Sequence, residues 1–227
     1  MHDSLFLFSE FITDDIKMAY LIHLVLVLAI ILVLAKAATS KMQLVPKGVQ
    51  NIMEMFLEGV LNMGKDTIGS KEASLKYVPL IATLGLVVFV SNMIGIIPGF
   101  EAPSASLNLT LPLAVIVFFY YHYEGIKTQG VCKYFKHFLG PVKLISPLMF
   151  VVEVISHFSR IVSLSFRLFG NIKGDDLFLG VILTLVPFVA PLPPYFLLTF
   201  MACLQTFVFM ILTYVYIAGA IALDEEH

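Results

Sequence analysis

The sequence contains no tryptophan, only two cysteines, and few charged residues for its length of 227. Charged residues make up 13% of the chain, whereas an average soluble domain has about 25%. Hydrophobic residues make up 59%, and the mean hydropathy is +0.94. This composition argues against a soluble globular enzyme, and it excludes intrinsic disorder, which requires low hydrophobicity and high net charge. A lipid bilayer is the solvent that this much apolar surface requires.

Other absences narrow the function further. Cys132 and Cys203 lie in no ligand spacing, so we expect neither a disulfide framework nor a zinc site, and the sequence indicates no cofactor. The net charge of −2 and the pI near 6.3 do not support a nucleic-acid partner. Without tryptophan, an aromatic belt at the membrane interface must be built from the nine tyrosines.

Long uncharged runs predict an all-α polytopic membrane protein, since a spanning helix needs about 20 apolar residues. The last run, Leu177–Leu223, is interrupted by four prolines and is either a broken long helix or a helical hairpin, so the count is five or six membrane helices. The predicted segments are an outer N-terminus 1–17, a first span 18–36, an amphipathic surface helix 41–70, a second span 77–100, a third span 102–123, a tilted helix with a polar stripe 144–172, and the broken helix or hairpin 176–223.

Lysine and arginine predict the orientation. Ten of the 14 basic residues lie in two segments, the one between the first and second spans and the one after the third span. By the positive-inside rule these segments face the cytoplasm and the N-terminus faces outward.

The first of these segments also has helical periodicity. Apolar residues recur there at steps of three and four from Val49 to Met63, and Pro46 and Lys47 suit the start of a helix. The pattern predicts an amphipathic helix on the membrane surface or against a partner.

The fourth membrane helix carries a polar stripe. Its members recur at steps of three and four, which places them on one helical face, and His157 lies one turn after the first of them. Each charge at the centre of a bilayer costs at least about 2.5–3.5 kcal/mol, so the stripe must face protein or a water-filled cavity. The stripe is therefore either a set of internal ion pairs, such as Glu153 with Arg160, or a path for ions. It consists of Glu153, Ser156, Arg160, Ser163, Arg167 and Asn171.

The arginines of this stripe differ from its carboxylate, Glu153, in whether they can release a proton. Arginine keeps its proton at any working pH, so Arg167 cannot relay a proton; it can repel free cations and favour proton release from a carboxylate on a neighbouring surface. Asp175 and Asp176 are expected in a turn at the outer face, either as solvated loop residues or as functional acids. Gln205 is expected to hold helices together or to belong to the site, and Asn92 is expected to be structural.

The segment Ser163-Leu-Ser-Phe-Arg-Leu-Phe-Gly-Asn171 closely resembles the signature of subunit a of the membrane sector of bacterial F-type ATP synthase. Segments 91–98, 45–54 and 204–209 resemble the same family. The resemblance implies a proton-translocating stator subunit in the inner membrane, not an enzyme on its own. Its implied partners are the carboxylate-bearing c-ring, the peripheral-stalk b subunits, the remaining ATP synthase subunits and membrane lipid.

The resemblance also implies residue roles. Arg167 would separate two offset half-channels and face the c-ring carboxylates. Glu153, Ser156 and His157 would line the cytoplasmic half-channel, and Asn171, Asp176 and Gln205 would belong to the path from the outer side. Ser163 and Asp175 would be further residues of the proton-translocation path. Some members carry a histidine where this chain has Leu198, and Asp175 is a candidate substitute.

The residues alone leave two other classes open. A secondary transporter would be favoured by internal repeats, of which we see none, and a purely structural subunit would use the stripe only to pair helices. The sequence does not separate H⁺ from Na⁺ as the transported ion.

Overall fold

The computed structural model describes residues 16–40, 42–97, 99–131, 133–134, 146–185 and 192–221. Within these ranges the chain is almost entirely α-helical and forms no strand. The predicted outer N-terminus 1–17 lies outside them except for its last two residues. The helices are α1 (Ile16–Thr39), α2 (Val49–Ile68), α3 (Lys71–Ile96), α4 (Leu107–Gln129), α5 (Ser146–Leu185) and α6 (Leu192–Ile221), with a short 3-10 helix at Pro103–Ala105.

Five of these helices, all except α2, are long and apolar enough to cross a membrane. This confirms the all-α polytopic fold. The second and third spans differ in their bounds from the uncharged runs that predicted them. α3 begins at Lys71 and α4 continues past Lys127 to Gln129. Both helices extend into charged sequence on the lysine-rich side, because a charged residue ends a hydrophobic run but does not end a helix.

The helix α5 is longer than the sequence predicts. It continues to Leu185, whereas the predicted helix ends at residue 172, so Asp175 and Asp176 lie in a helix and not in a turn. Gly170, Asn171 and Gly174 favour a turn by propensity, but a backbone in lipid must satisfy its own hydrogen bonds, which favours helix. At 1.5 Å per residue its 40 residues span about 60 Å, twice a hydrocarbon core of about 30 Å.

The proline-rich break falls between α5 and α6. Pro187 and Pro191 lie outside the described residues, and Pro193 and Pro194 lie in the first turn of α6, where proline costs no hydrogen bond. α5 and α6 are separate helices that contact each other. The predicted unit 176–223 is therefore divided: its first residues continue α5, and its later residues form α6, so that five helices of the described ranges are long and apolar enough to cross a membrane.

The helix α2 begins later than predicted. Its first residue is Val49. The preceding Gly48 has a positive φ of 59°, which is not a helical conformation, so Pro46 and Lys47 lie outside the helix. Its apolar side packs against α3 and α6, and Val60 is fully buried there. Gly64 lies so close to α6 that an added Cβ atom would be 2.8 Å from the Tyr214 ring.

The core of the bundle lies where α3, α4 and α6 meet. Ile81, Val88, Val117 and Phe209 are among its buried side chains. Two hydrogen-bonded contacts fix the lysine-rich end. The buried carboxylate of Glu124 on α4 pairs with Lys76 and accepts a hydrogen bond from Tyr77, both on α3. The amide of Gln129 donates a 2.9 Å hydrogen bond to the Ala220 carbonyl, which ties the end of α4 to the end of α6.

A candidate ion path along the fifth helix

Three groups of polar side chains follow one another along α5. The first surrounds Glu153 and His157, the second is Arg167 with Asn171, and the third is Asp175 with Asp176. At 1.5 Å per residue, Arg167 lies about 20 Å along the helix from Glu153 and about 14 Å from Asp176. The lysine-rich ends of α3 and α4 lie toward the first group, and the loop that contains Glu101 lies toward the third.

In the first group, His157 has a partner for each ring nitrogen. The ring is buried, with its Nε2 3.3 Å from Oε1 of Glu153 one turn earlier. Its Nδ1 lies 2.7 Å from the Tyr121 hydroxyl of α4. The sequence predicts the contact with Glu153 from the four-residue spacing, but it gives no sign of Tyr121. Ser156, from the same stripe, is half-buried.

Arg160 does not pair with Glu153. Its guanidinium lies over two aromatic rings, 5.8 Å from the centroid of Tyr121 and 5.3 Å from that of Tyr216 on α6. Such cation–π contacts hold a cation in an environment with little water. The ion-pair interpretation of the stripe is therefore wrong for this pair of residues: Glu153 contacts His157, and Arg160 contacts the two aromatic rings.

Arg167 lies on the exposed side of α5. Its side chain is exposed, as are its neighbours Val162, Ser163 and Phe166. Among the residues that the structure describes, no acidic side chain forms an ion pair with it. The opposite side of the same turn is packed, since Leu168 is fully buried and Ser165 contacts the Thr110 hydroxyl at 3.2 Å.

One turn beyond Arg167, an amide pair joins α5 to α6. Nδ2 of Asn171 donates a 2.7 Å hydrogen bond to Oε1 of Gln205. Gln205 is buried, with 2% of its surface exposed. The two predicted site residues are thus brought together, and Gln205 does bond between helices, as a membrane glutamine commonly does.

The third group lines a cavity between α3, α5 and α6. Its walls include Asp175, Asp176, Asn92 and Leu198. Leu198 therefore lies at the same cavity as both acids. The sequence predicts that Asp175 and Asp176 lie in a turn. In the structure both lie in α5 and line the wall of this cavity.

Asn92 is a cavity residue that sequence reasoning missed. It is 2% exposed, and its Oδ1 accepts a 2.6 Å hydrogen bond from Ser104. Its Nδ2 has no hydrogen-bond partner within the described ranges. A lone asparagine in an apolar helix gives little signal by itself, and only its position in segment 91–98, which carries the family resemblance, could have indicated a role.

His23 is a further polar residue within a membrane-spanning helix, α1. Its Nδ1 donates a 2.8 Å hydrogen bond to the Ala19 carbonyl, because a carbonyl only accepts. Its Nε2 then accepts from the Glu101 backbone amide at 3.4 Å. Across the described segments, no group of three His, Cys, Asp or Glu side chains could hold a metal ion.

Comparison with known proteins identifies the family. Residues 18–218 match the family model described as the ATP synthase A chain. The proteins named ATP synthase subunit a of Campylobacter fetus subsp. fetus (strain 82-40) and of Campylobacter jejuni subsp. jejuni (strain 81116) are each 65% identical over 223 residues. That of Campylobacter curvus (strain 525.92) is 66% identical over 222 residues. Each match covers 98% of this chain and 99% of the relative. The chain therefore belongs to the family of subunit a of ATP synthase, a multi-pass membrane component of that complex and not an enzyme on its own.

Proposed function

We propose that this chain is the proton-translocating stator of the ATP synthase membrane sector. In this proposal, two half-channels open to opposite sides of the membrane and end at α5 at different depths. Arg167 stands between them and faces a rotating ring of carboxylate-bearing c subunits. The peripheral-stalk b subunits hold the chain still, and it lies in the bacterial inner membrane with its N-terminus outside.

One observation carries the proposal. Arg167 is a permanent cation on an exposed apolar helix face, without an acidic partner among the described residues. An unpaired charge in lipid is costly, so a partner protein that brings an acid to this face would remove that cost. The ring carboxylates are such acids. The exposed Phe158, Val162 and Phe166 around the arginine supply an apolar surface for the same contact.

The two polar groups on either side of Arg167 supply the half-channels. Glu153, Ser156 and His157 belong to the one on the lysine-rich, cytoplasmic side, and Ser163 leads from it toward Arg167. Asp175 and Asp176, with Asn92 opposite them, belong to the outer one, and Asn171 with Gln205 lies between that cavity and the arginine. The lysines near the first group support this orientation through the positive-inside rule.

The cycle follows from these positions. A proton from the outer side passes the Asp175–Asp176 cavity and neutralises a ring carboxylate, which then moves through lipid. After nearly a full turn the carboxylate meets Arg167, whose positive charge favours loss of the proton toward Glu153 and His157. Because Arg167 holds its own proton, it blocks direct passage between the half-channels. The membrane potential supplies about 2.3 kcal/mol for each charge per 100 mV.

The first experiment replaces Arg167 in the complete ATP synthase reconstituted in vesicles. Arg167→Ala should abolish ATP-driven proton pumping and allow a passive proton leak, and Arg167→Lys should lose most coupling because the planar guanidinium is lost. Lys127→Ala, which removes a cation at the exposed end of α4, is the matched control and should pump normally. Normal pumping by Arg167→Ala would refute the proposal.

The second experiment tests the surface that faces the ring. A cysteine at the exposed position Phe166 should crosslink to the c subunit in a chain whose native Cys132 and Cys203 are serine. A cysteine at the buried position Leu168, two residues away, should not. Equal crosslinking from both positions, or from neither, would contradict the assignment of this face.

A further inference from the structure

Two histidines on neighbouring helices form a compact cluster at the lysine-rich end of the bundle. The ring centroids of His122 on α4 and His157 on α5 are 4.8 Å apart. Tyr121 packs against both rings, with centroids 4.4 Å from His122 and 5.7 Å from His157. We call these three residues the imidazole cluster. His122 and Tyr121 belong to no motif in the sequence, and the polar stripe on α5 does not include them.

The hydrogen bonds of His157 define its proton positions. The Nε2 of His157 lies 3.3 Å from the Glu153 carboxylate, which only accepts hydrogen bonds, so an ionised Glu153 favours the tautomer that carries its hydrogen on Nε2. In the neutral ring Nδ1 is then the acceptor, and the Tyr121 hydroxyl, 2.7 Å away, donates to it. The neutral histidine is therefore held as one tautomer by partners on two helices.

The same contacts accommodate one added proton. A proton that binds Nδ1 makes the ring an imidazolium, which donates from both nitrogens. Tyr121 then accepts at its oxygen, and its hydroxyl hydrogen turns away, since a phenol can both donate and accept. No heavy atom has to move. When the proton leaves Nδ1, the hydroxyl turns back and the original state returns.

His122 supplies a second imidazole with a fixed tautomer. Its Nδ1 lies 3.0 Å from the Phe118 carbonyl, which can only accept, so Nδ1 carries the hydrogen. Its Nε2 is therefore the basic nitrogen. Two imidazolium rings at 4.8 Å would repel each other strongly in a membrane interior. The pair therefore holds one added proton and not two.

Charged and phenolic side chains lie around the cluster on α5, on α6 and just after the end of α4. On α5, Glu153 attracts an added proton and Arg160 opposes it. The ring of Tyr216 on α6 lies 5.3 Å from the Arg160 guanidinium. Tyr134, after the end of α4, lies 5.9 Å from His122 between ring centroids. Glu153 and Arg160 thus place groups of opposite charge one turn before and one turn after His157, beside the imidazole pair.

We propose that the imidazole cluster is a one-proton binding site that sets how proton exchange on the lysine-rich side depends on the pH of that side. His122 and His157 bind the proton, and Tyr121 is a positioning residue that acts through His157. This inference rests on the proposed proton-translocating function and assigns residues of α4 to it.

The test measures ATP-driven pumping by the complete ATP synthase in vesicles with the lysine-rich side outward. The initial rate is recorded as the outer pH is varied from about 5.5 to 8.5, a range that brackets imidazole titration. The variants are His122→Gln with His157→Gln, His122→Gln alone, and Tyr121→Phe. Tyr120→Phe is the matched control, since that neighbouring phenol packs against Tyr77 and not against the cluster. The catalytic head is identical throughout, so differences between the profiles report on this subunit.

We expect the wild-type profile to contain an inflection within this range that the double variant lacks. Tyr121→Phe should move this inflection to lower pH by up to about one unit, because hydrogen bonds to a charged ring are stronger than those to a neutral one. Tyr120→Phe should match the wild type. If replacement of His157 prevents assembly into the complex, His122→Gln and Tyr121→Phe still test the site, because each must move the inflection.

Two failures remain distinguishable. A double variant with the wild-type profile, in a complex that still requires Arg167, overturns the imidazole cluster alone. Pumping that survives Arg167→Ala overturns the proposed function itself, whatever the pH profile.

Discussion

The amide of Asn171 donates a 2.7 Å hydrogen bond to the side-chain carbonyl of Gln205, and this bond joins the two long helices one turn from Arg167. It is a direct polar link between α5 and α6 at that depth. Because Asn171 follows Arg167 by four residues, the bond fixes the rotation of the helical turn that presents the arginine. The orientation of the arginine thus depends on a bond between two other residues.

Replacing either amide should therefore affect both the stability of the complex and the coupling of proton transport to ATP turnover. Asn171→Leu or Gln205→Leu leaves the other amide without its partner, whereas the double replacement removes both. A double-mutant cycle on the purified complex, read as the thermal midpoint of subunit dissociation, should give a coupling free energy of about 0.6–1.7 kcal/mol. Additive effects would show that the bond contributes nothing.

Gly64 and Gly59 provide a matched pair on α2. A Cβ atom at Gly64 would be 2.8 Å from the fully buried Tyr214 ring, whereas one at Gly59 would have nothing within 4 Å. Gly64→Ala should destabilise the fold by about 1–3 kcal/mol through overpacking. Gly59→Ala should be neutral or stabilising by up to about 1 kcal/mol, since alanine favours helix. Thermal unfolding in detergent checks both, and equal effects would contradict the contact between α2 and α6.

The ion pair between Lys76 and Glu124 predicts an asymmetric mutational response. Glu124 is buried, whereas 46% of the Lys76 side chain is exposed. Lys76→Met leaves a buried carboxylate with only the Tyr77 hydroxyl and should cost about 1–3 kcal/mol. Glu124→Gln keeps an acceptor for both partners and should cost less.

The double variant Lys76→Met with Glu124→Leu provides the control for this pair. It should be more stable than Lys76→Met alone, because no buried charge remains. Thermal midpoints of the three variants in detergent decide the order. A Glu124→Gln variant less stable than Lys76→Met would contradict this account of the pair.

Leu198 offers a gain of function at the outer cavity. It is buried, 5% exposed, and lines the cavity with Asp175 and Asp176. Leu198→His should restore coupling to an Asp176→Asn variant at least partly, because an imidazole at that wall replaces the lost titratable group. ATP synthesis driven by an imposed proton gradient is the measurement, with Leu198→Gln as the control of similar polarity. Equal rescue by glutamine would show that polarity and not proton binding is what the cavity needs.

The sequence predicts the parts of this fold that depend on local periodicity. The membrane helices follow from uncharged runs, and the contact between Glu153 and His157 follows from a spacing of four. The end of α5 could not be predicted in this way, because residues 170–176 favour a turn by propensity and the membrane favours helix. Contacts between helices, such as Tyr121 with His157 or Asn92 with the acid-lined cavity, depend on packing that no single segment encodes.

The bond from Gln129 to the Ala220 carbonyl, with the packing of α6 on α3 and α4, has a mechanical consequence. In the proposed cycle a turning ring pushes sideways on the hairpin of α5 and α6 at every step. The end of α6 is fastened to α4, and α4 is in turn clamped to α3 by Lys76 and Glu124. A sideways force on the hairpin is therefore resisted by two further membrane-spanning helices, α4 and α3.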